Sequence, residues 1–207
     1  MPEAEPVGGP PFLLGAVVLA AGGSSRMGSA KQLLPLDGKP LIVRAVEAVL
    51  GSPARPVVVV LGSDAQRVRE AIAGLPVHAV LNPDWPAGMA SSIRAGLSAI
   101  LEDSPGLDAV LVALCDQPAL TPEVIGRLAE AHRSTGRIAA ARYAGRNGAP
   151  AVFGRGHFEA LGALTGDTGA RALLNGDADP VAALDLPDFA ADLDTPADVT
   201  DWRSRRP

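Results

Sequence analysis

Short, unbroken apolar runs alternate with stretches of helical periodicity along most of this chain. Leu14 to Ala20 (LGAVVLA), Val57 to Leu61 (VVVVL) and Ala109 to Leu114 (AVLVAL) carry no polar side chain. Such runs suit strands buried on both faces, as in a parallel sheet covered by helices. Val77 to Leu81 is a weaker strand of the same kind. Between them, Pro40 to Leu50 sets Leu41, Ala45, Ala48 and Val49 on one stripe, and Met89 to Leu101 does so with Ile93, Leu97, Ile100 and Leu101. Asp64 to Ala73 and Thr121 to His132 open on helix-start residues, the second as Thr-Pro-Glu. Further on, Ile138 to Tyr143, Ala149 to Phe153 and Val181 to Leu186 read as strands. Thr168 to Leu174 and Pro196 to Trp202 read as helices. The alternation predicts an α/β fold, a single three-layer domain with a mostly parallel central sheet flanked by helices. Residues 1–11 (MPEAEPVGGPP) are expected to be a flexible tail and 12–207 the domain.

Composition narrows the function classes. The 207 residues are 47% hydrophobic, enough for one core without staples. Aromatics are 3%, which argues against a stacking platform for single-stranded nucleic acid. A net charge of -5 argues against a broad polyphosphate-binding surface. Cys115 is the one cysteine, so no internal disulfide forms and a cytoplasmic enzyme is expected. The run Phe12 to Ala21 follows acidic residues and falls short of the roughly 20 residues a membrane span needs, so no membrane partner is expected. Of 18 basic residues only Lys31 and Lys39 are lysines, so any lysine-specific chemistry rests on one of them.

The strongest chemical pattern runs from Leu19 to Lys31 (LAAGGSSRMGSAK), directly after the first strand. Ligands of open α/β sheets bind at the carboxyl ends of strands. Gly22, Gly23 and Gly28 let the backbone curl around a ligand with its N–H groups inward, and Arg26 and Lys31 add positive charge. Such a loop suits a nucleoside triphosphate. It is not a Walker loop, because Ser29-Ala30 follows Gly28 where Lys-Ser/Thr belongs. Nor does it keep the third glycine of a dinucleotide loop, which argues against a nicotinamide-dependent oxidoreductase.

Asp116 ends the strand Ala109 to Leu114, in Cys-Asp-Gln-Pro. A carboxylate there suits Mg²⁺, which takes one or two carboxylates plus substrate phosphates; alone, it is also an ordinary turn residue. Cys115 lacks a nearby base in sequence and reads as a small buried residue. His78, His132 and His157 lack zinc-ligand spacing and read as surface or packing residues. Asp194, in Asp-Leu-Asp-Thr-Pro-Ala-Asp, reads as a member of a helix-capping turn. Ser91 and Ser92 fall in the first turn of a helix, and Gly169 and Arg171 near the start of another, where anions and polar groups are held.

The segment from Leu19 to Lys31 resembles the glycosyltransferase-A-type nucleotidyltransferases, and within them the molybdenum cofactor (molybdopterin) cytidylyltransferase family. Leu19-Ala20-Ala21-Gly22 resembles that family's Leu-Ala-Ala-Gly rather than the Leu-Ala-Gly-Gly of related guanylyltransferases. The resemblance extends to Asn82-Pro-x-Trp-x-x-Gly88-Met-x-x-Ser92, to Gly148-x-Pro150-Ala-x-Phe, to Gly166-Asp-x-Gly169-Ala-Arg171 and to the Asp192–Asp198 motif, over about residues 14–202. It implies a Rossmann-like fold and nucleotidyl transfer with CTP as co-substrate and Mg²⁺ as cofactor. Leu19 to Gly28, Lys31, Asn82, Gly88 and Ser92 then bind the nucleotide, Ser24, Ser25 and Met27 included. Arg26, Lys31 and Asp116 carry the chemistry. Asp116 holds the metal, with Asp194, or else Asp192, as second ligand. Gly148, Pro150, Gly169 and Arg171 line the acceptor side. Ala149 stands where that family commonly has histidine, which leaves the acceptor open between molybdopterin and another phosphorylated molecule. Guanylyl transfer, and a non-catalytic role in inserting the cofactor into a molybdenum hydroxylase, stay open as alternatives.

Overall fold

In the computed structural model, residues 11–23, 30–176 and 180–205 are described. The strands are β1 (Leu14–Ala20), β2 (Pro35–Leu36), β3 (Lys39–Pro40), β4 (Val57–Leu61), β5 (His78–Leu81), β6 (Ala109–Leu114), β7 (Ala139–Tyr143), β8 (Arg146–Gly154) and β9 (Ala182–Asp185). The helices are α1 (Leu41–Leu50), α2 (Ala65–Ala71), α3 (Met89–Asp103), α4 (Pro122–Thr135), α5 (Phe158–Gly162), α6 (Arg171–Asn175) and α7 (Pro196–Ser204). Among the described residues no helix is long and apolar enough to cross a membrane.

β2 and β3 form a small hairpin, and the other strands form one sheet in the order β5-β4-β1-β6-β8-β7-β9. β5, β4, β1 and β6 are mutually parallel. β8 runs against both β6 and β7, and β9 is parallel to β7. The sheet is therefore parallel except for β8. From β1 the chain first builds outward on one side, then returns to place β6 on the other. That reversal leaves a crevice beyond the carboxyl ends of β1 and β6, the place where open α/β sheets take ligands.

Every residue of β1 is buried, because successive side chains face opposite layers. Leu14, Ala16, Val18 and Ala20 join a core with α1, α2, α4 and α7. Val17 and Leu19 join a second core with α3, α5 and α6. The three expected layers are present. α3 crosses the sheet through Gly96, where a Cβ would come within 2.3 Å of a Val17 methyl and 2.8 Å of a Val60 methyl. A glycine there lets the helix lie close on β1 and β4.

The start signals act unequally. Thr121 Oγ accepts a hydrogen bond from the Val124 N–H, capping α4 as expected. Asp64 also precedes its helix, but its backbone is left-handed and its side chain does not cap. α2 is correspondingly shorter than the periodicity suggests. Thr195 and Asp198 form a reciprocal capping box on α7. α5 and the β2–β3 hairpin have no counterpart in the periodicity, and the two-residue strands of the hairpin fall below what a repeat can signal.

Candidate active site

The turn after β1 is pinned from below. Gln32 is 1% exposed, and its amide donates to the carbonyls of Ala20 (3.0 Å) and Gly22 (2.7 Å). Residues 24–29, and with them the expected contributions of Ser24, Ser25, Arg26, Met27 and Gly28, lie outside the described residues. Lys31 follows, and its ammonium lies 2.6 Å from Asp116 Oδ2 and 2.8 Å from Asp194 Oδ1. Three distant stretches of chain thus meet at one cation.

Asp194 reaches this place because its own turn is satisfied by another residue. Asp198 Oδ2 accepts from the N–H groups of Asp194 and Thr195, which leaves the Asp194 carboxylate to face Lys31. The Leu193 N–H donates to the Asp116 carbonyl at 3.1 Å, tying the two carboxylate segments together. Asp192 lies beside them and lines a cavity together with Lys31 and Asp116.

The electrostatics follow from this crowding. Burial alone would lower the Lys31 value, but the charge and hydrogen bond of Asp116, then those of Asp194, outweigh it and hold the ammonium well above the usual lysine range. The Asp192 carboxyl is pushed up to about 6, first by desolvation and then by the Asp116 charge. Burial, with Asp116 next door, raises the Cys115 thiol far out of the nucleophilic range. Cys115 is 4% exposed, the small buried residue expected.

Asp116 Oδ1 is buried and has no hydrogen-bond partner among the described residues. An orphaned carboxylate oxygen, with an ammonium already seated between two carboxylates, is a donor set that accepts a cation. Among the described residues no group of three or more His, Cys, Asp or Glu side chains is arranged to hold a metal. The pair Asp116 and Asp194 therefore fits an ion that keeps most of its coordination for ligand oxygens, as Mg²⁺ does, rather than a closed protein cage.

Two cavities flank these residues. The first, of about 310 Å³, is lined by Leu19, Ala20, Ala21, Gly22, Gly23, Lys31, Gly88, Ser92 and Asp116. Trp85, Met89 and Asp167 also face it. Gly88 has φ 106°, and a Cβ there would come within 2.5 Å of the Gly166 carbonyl. A side chain at 88 would push away the 164–170 loop, which the Ala90 N–H and the Arg94 guanidinium hold through the carbonyls of Gly166 and Leu164. Asn82 stands behind the cavity. It is 3% exposed and donates to Ser91 Oγ (2.9 Å) and Ser92 Oγ (3.1 Å).

The second cavity, of about 240 Å³, is lined by Gly148, Ala149 and Arg171 among the expected acceptor region. Tyr143, Arg146, Asn147 and Asp192 stand with them over an apolar floor that includes Phe153 and Val112. Pro150 and Gly169 adjoin this wall without lining it. Leu19, Lys31, Met89, Leu114 and Asp116 line both cavities, so the two share a wall. Lys39, the other lysine, is spent on Glu47 at 2.7 Å. His78 pairs with Asp103 on the surface, and buried His132 contacts the Arg137 carbonyl.

Sequence reasoning passed over Gln32, Tyr143, Arg146, Asn147 and Asp167. The first directly follows Lys31, which is a usable signal. The others depend on the pairing of β8 and on the path of the 164–170 loop, which no local spacing encodes.

A strand-end turn and a strand-end carboxylate at the switch point of an α/β sheet, facing adjoining cavities, define a nucleotide-using transferase. Over residues 16–182 the chain matches the model of the MobA-like NTP transferase domain, and it belongs to that family. It is an enzyme of the nucleotidyltransferase class, joining a nucleoside triphosphate to a phosphorylated acceptor with release of pyrophosphate.

Among curated proteins it is 39% identical over 168 residues to nicotine blue oxidoreductase of Paenarthrobacter nicotinovorans, covering 76% of this chain and 79% of that protein. Among solved structures, Rv0371c of Mycobacterium tuberculosis superposes with a TM-score of 0.80 at 29% identity, covering 92% of this chain and 97% of that one. Rv0371c has also been solved in complex with manganese. A nucleotidyl transferase from Methanothermobacter thermautotroptrophicus superposes with a TM-score of 0.77 at 26% identity, covering 93% of this chain and 97% of that one.

Proposed function

We propose that the enzyme transfers CMP from CTP to the phosphate of molybdopterin, or of its molybdenum form. The observation that carries this reading is the wall of Lys31 and Asp116 common to both cavities. A donor nucleotide on one side and an acceptor on the other would meet there.

The first cavity takes the nucleotide. Backbone N–H groups of the turn from Ala20 to Gly28 hold the β- and γ-phosphates, together with Arg26. Ser92, kept in place by Asn82, lies toward base and ribose. The second cavity takes the acceptor, with Gly148, Pro150, Gly169 and Arg171 around it. An acceptor phosphate oxygen attacks the α-phosphorus. The new P–O bond forms as the bond to the bridging oxygen breaks, and pyrophosphate leaves with that electron pair. A phosphate monoester is already largely dianionic near neutral pH, with a second pKa of about 6, so no general base is needed. Catalysis is then orientation and charge stabilisation. Lys31, permanently charged, offsets the negative charge that grows around the α-phosphate. Asp116, with Asp194 beside it, would hold a divalent cation, which when bound neutralises triphosphate charge. That Rv0371c was solved in complex with manganese supports a divalent metal in general.

The test is pyrophosphate release from each of the four nucleoside triphosphates with Mg²⁺ and molybdopterin. Release with CTP alone is expected. Release with GTP instead would transfer the reading to guanylyl transfer, and release with none would favour a cofactor-binding role.

The likeness to nicotine blue oxidoreductase favours one second reading, a redox reaction that uses a nicotinamide dinucleotide. Its readout is separate: hydride transfer from NADPH to an added quinonoid dye, monitored as loss of NADPH absorbance in the absence of any triphosphate.

A further inference from the structure

We infer that Gln117 is a positioning residue that fixes the acceptor wall against the Asp116 carboxylate. This rests on the reading of the second cavity as the acceptor site. Gln117 directly follows Asp116 and is 2% exposed. Its amide donates to the Ala149 carbonyl at 3.0 Å and lies 3.4 Å from the Tyr143 hydroxyl. Both partners line the second cavity. Gln117 stands behind that wall and holds it.

The need for such a stitch comes from the strand pairing. β6 and β8 stay paired up to Val112 opposite Ala151. On the other side, Ala140 faces Ala151, but the next residue, Ala141, faces Gly148. Ala149 and Pro150 are therefore extra residues, bulged out of both ladders. Bulges beside active sites re-aim the chain and leave backbone groups without ladder partners. A buried carbonyl without a donor is costly, and the Gln117 amide is the donor that Ala149 receives.

The same turn is gripped from a second direction. The Leu193 N–H donates to the Asp116 carbonyl, so the Asp116–Gln117 pair joins the β8 bulge to the Asp192–Asp194 segment. Tyr143 braces the far side, its ring centroid 6.4 Å from that of Phe189. Movement of the bulge relative to Asp116 would change the distance between acceptor and α-phosphorus. It would leave the nucleotide cavity intact, because the bulge residues do not line it.

The test has two arms. In the wild-type protein, the Gln117 side-chain amide should exchange slowly with solvent and show cross-relaxation to the Tyr143 ring by NMR. A rapidly exchanging amide without that contact overturns the inference, whatever the acceptor. In the kinetic arm, Gln117→Met keeps length and apolar bulk but removes the donor. Its affinity for CTP with Mg²⁺, read by titration calorimetry, should stay within about twofold. Its turnover with molybdopterin should fall on the order of 10- to 100-fold, with a raised KM for that acceptor. Equal loss of nucleotide affinity and turnover, or unchanged kinetics, overturns the positioning role. A wild-type enzyme inert toward molybdopterin counts against the acceptor reading, and the NMR arm then decides the inference alone.

Discussion

Lys31 stays charged at every pH where an enzyme works, since its two carboxylate partners raise it above the ordinary lysine value of about 10.4. A lysine raised on folding contributes its stability fully below the unfolded value and loses it only in strong alkali. No activity or stability transition near neutrality should therefore trace to it. Lys31→Ala is expected to cut pyrophosphate release by on the order of 10²- to 10³-fold while circular dichroism still reports a folded chain. Near-normal turnover would remove Lys31 from the chemistry. Asp192 behaves oppositely. Its carboxyl, raised on folding to about 6, opposes stability once it ionises. The cost grows from the unfolded value of about 3.9 up to about 6 and is complete above. In metal-free buffer, Asp192→Asn should melt higher than wild type at pH 7 and equal to it at pH 4. The gain should be at most about 1 kcal/mol, because the side chain remains partly in water. Lower melting of the variant at pH 7 would contradict this sign.

At the level of elements, α3 and α7 carry the site by different means. α3 lies close on β1 and β4 through Gly96, and Gly96→Ala puts a methyl into two valines. Overpacking of this kind costs about 1–3 kcal/mol, measurable as a lower urea midpoint with unchanged slope. α7 orients Asp194 through its capping box. Asp198→Ala should cost about 1 kcal/mol in stability, yet lower activity more than that loss explains, because the turn that presents Asp194 to Lys31 loses its anchor. Equal activity in the variant would show that Asp194 needs no such anchor. These elements were legible in the chain to different degrees. The apolar runs of β1, β4 and β6 matched their strands end to end because burial on both faces leaves no polar position to blur the limits. β8 was read as Ala149 to Phe153 but begins at Arg146, since its first residues are polar, half-exposed and paired with one neighbour only. α6 begins at Arg171, three residues after the expected start, because Gly169 holds a left-handed backbone.

For the whole molecule, the glycine turn and Asp116 were legible because each sits next to its own strand, and strand ends determine the site of an α/β sheet. The meeting of Lys31 with Asp194 was legible only through the family resemblance, as 163 residues separate them and no local spacing encodes what global folding joins. The same global folding encloses Cys115, which makes it a reporter of opening. Its labelling by a thiol reagent should be slow in the native state and fast in urea. CTP with Mg²⁺ should slow native labelling by the factor that ligand binding adds to stability. Fast labelling of the native protein would mean that the catalytic turn opens locally.

β8, among the described residues the one strand of the seven-stranded sheet that runs against both its neighbours, divides that sheet into two parts. On one side, the turn after β1 and the start of α3 line the first cavity; on the other, β8, with Tyr143 of β7 and α6, lines much of the second. A seam at a reversed strand lets natural variation or an engineer exchange the far half while the near half keeps its register. On the proposed reading, a chimera that keeps this chain through β6 and takes its later strands from a relative should keep its nucleotide preference and change its acceptor.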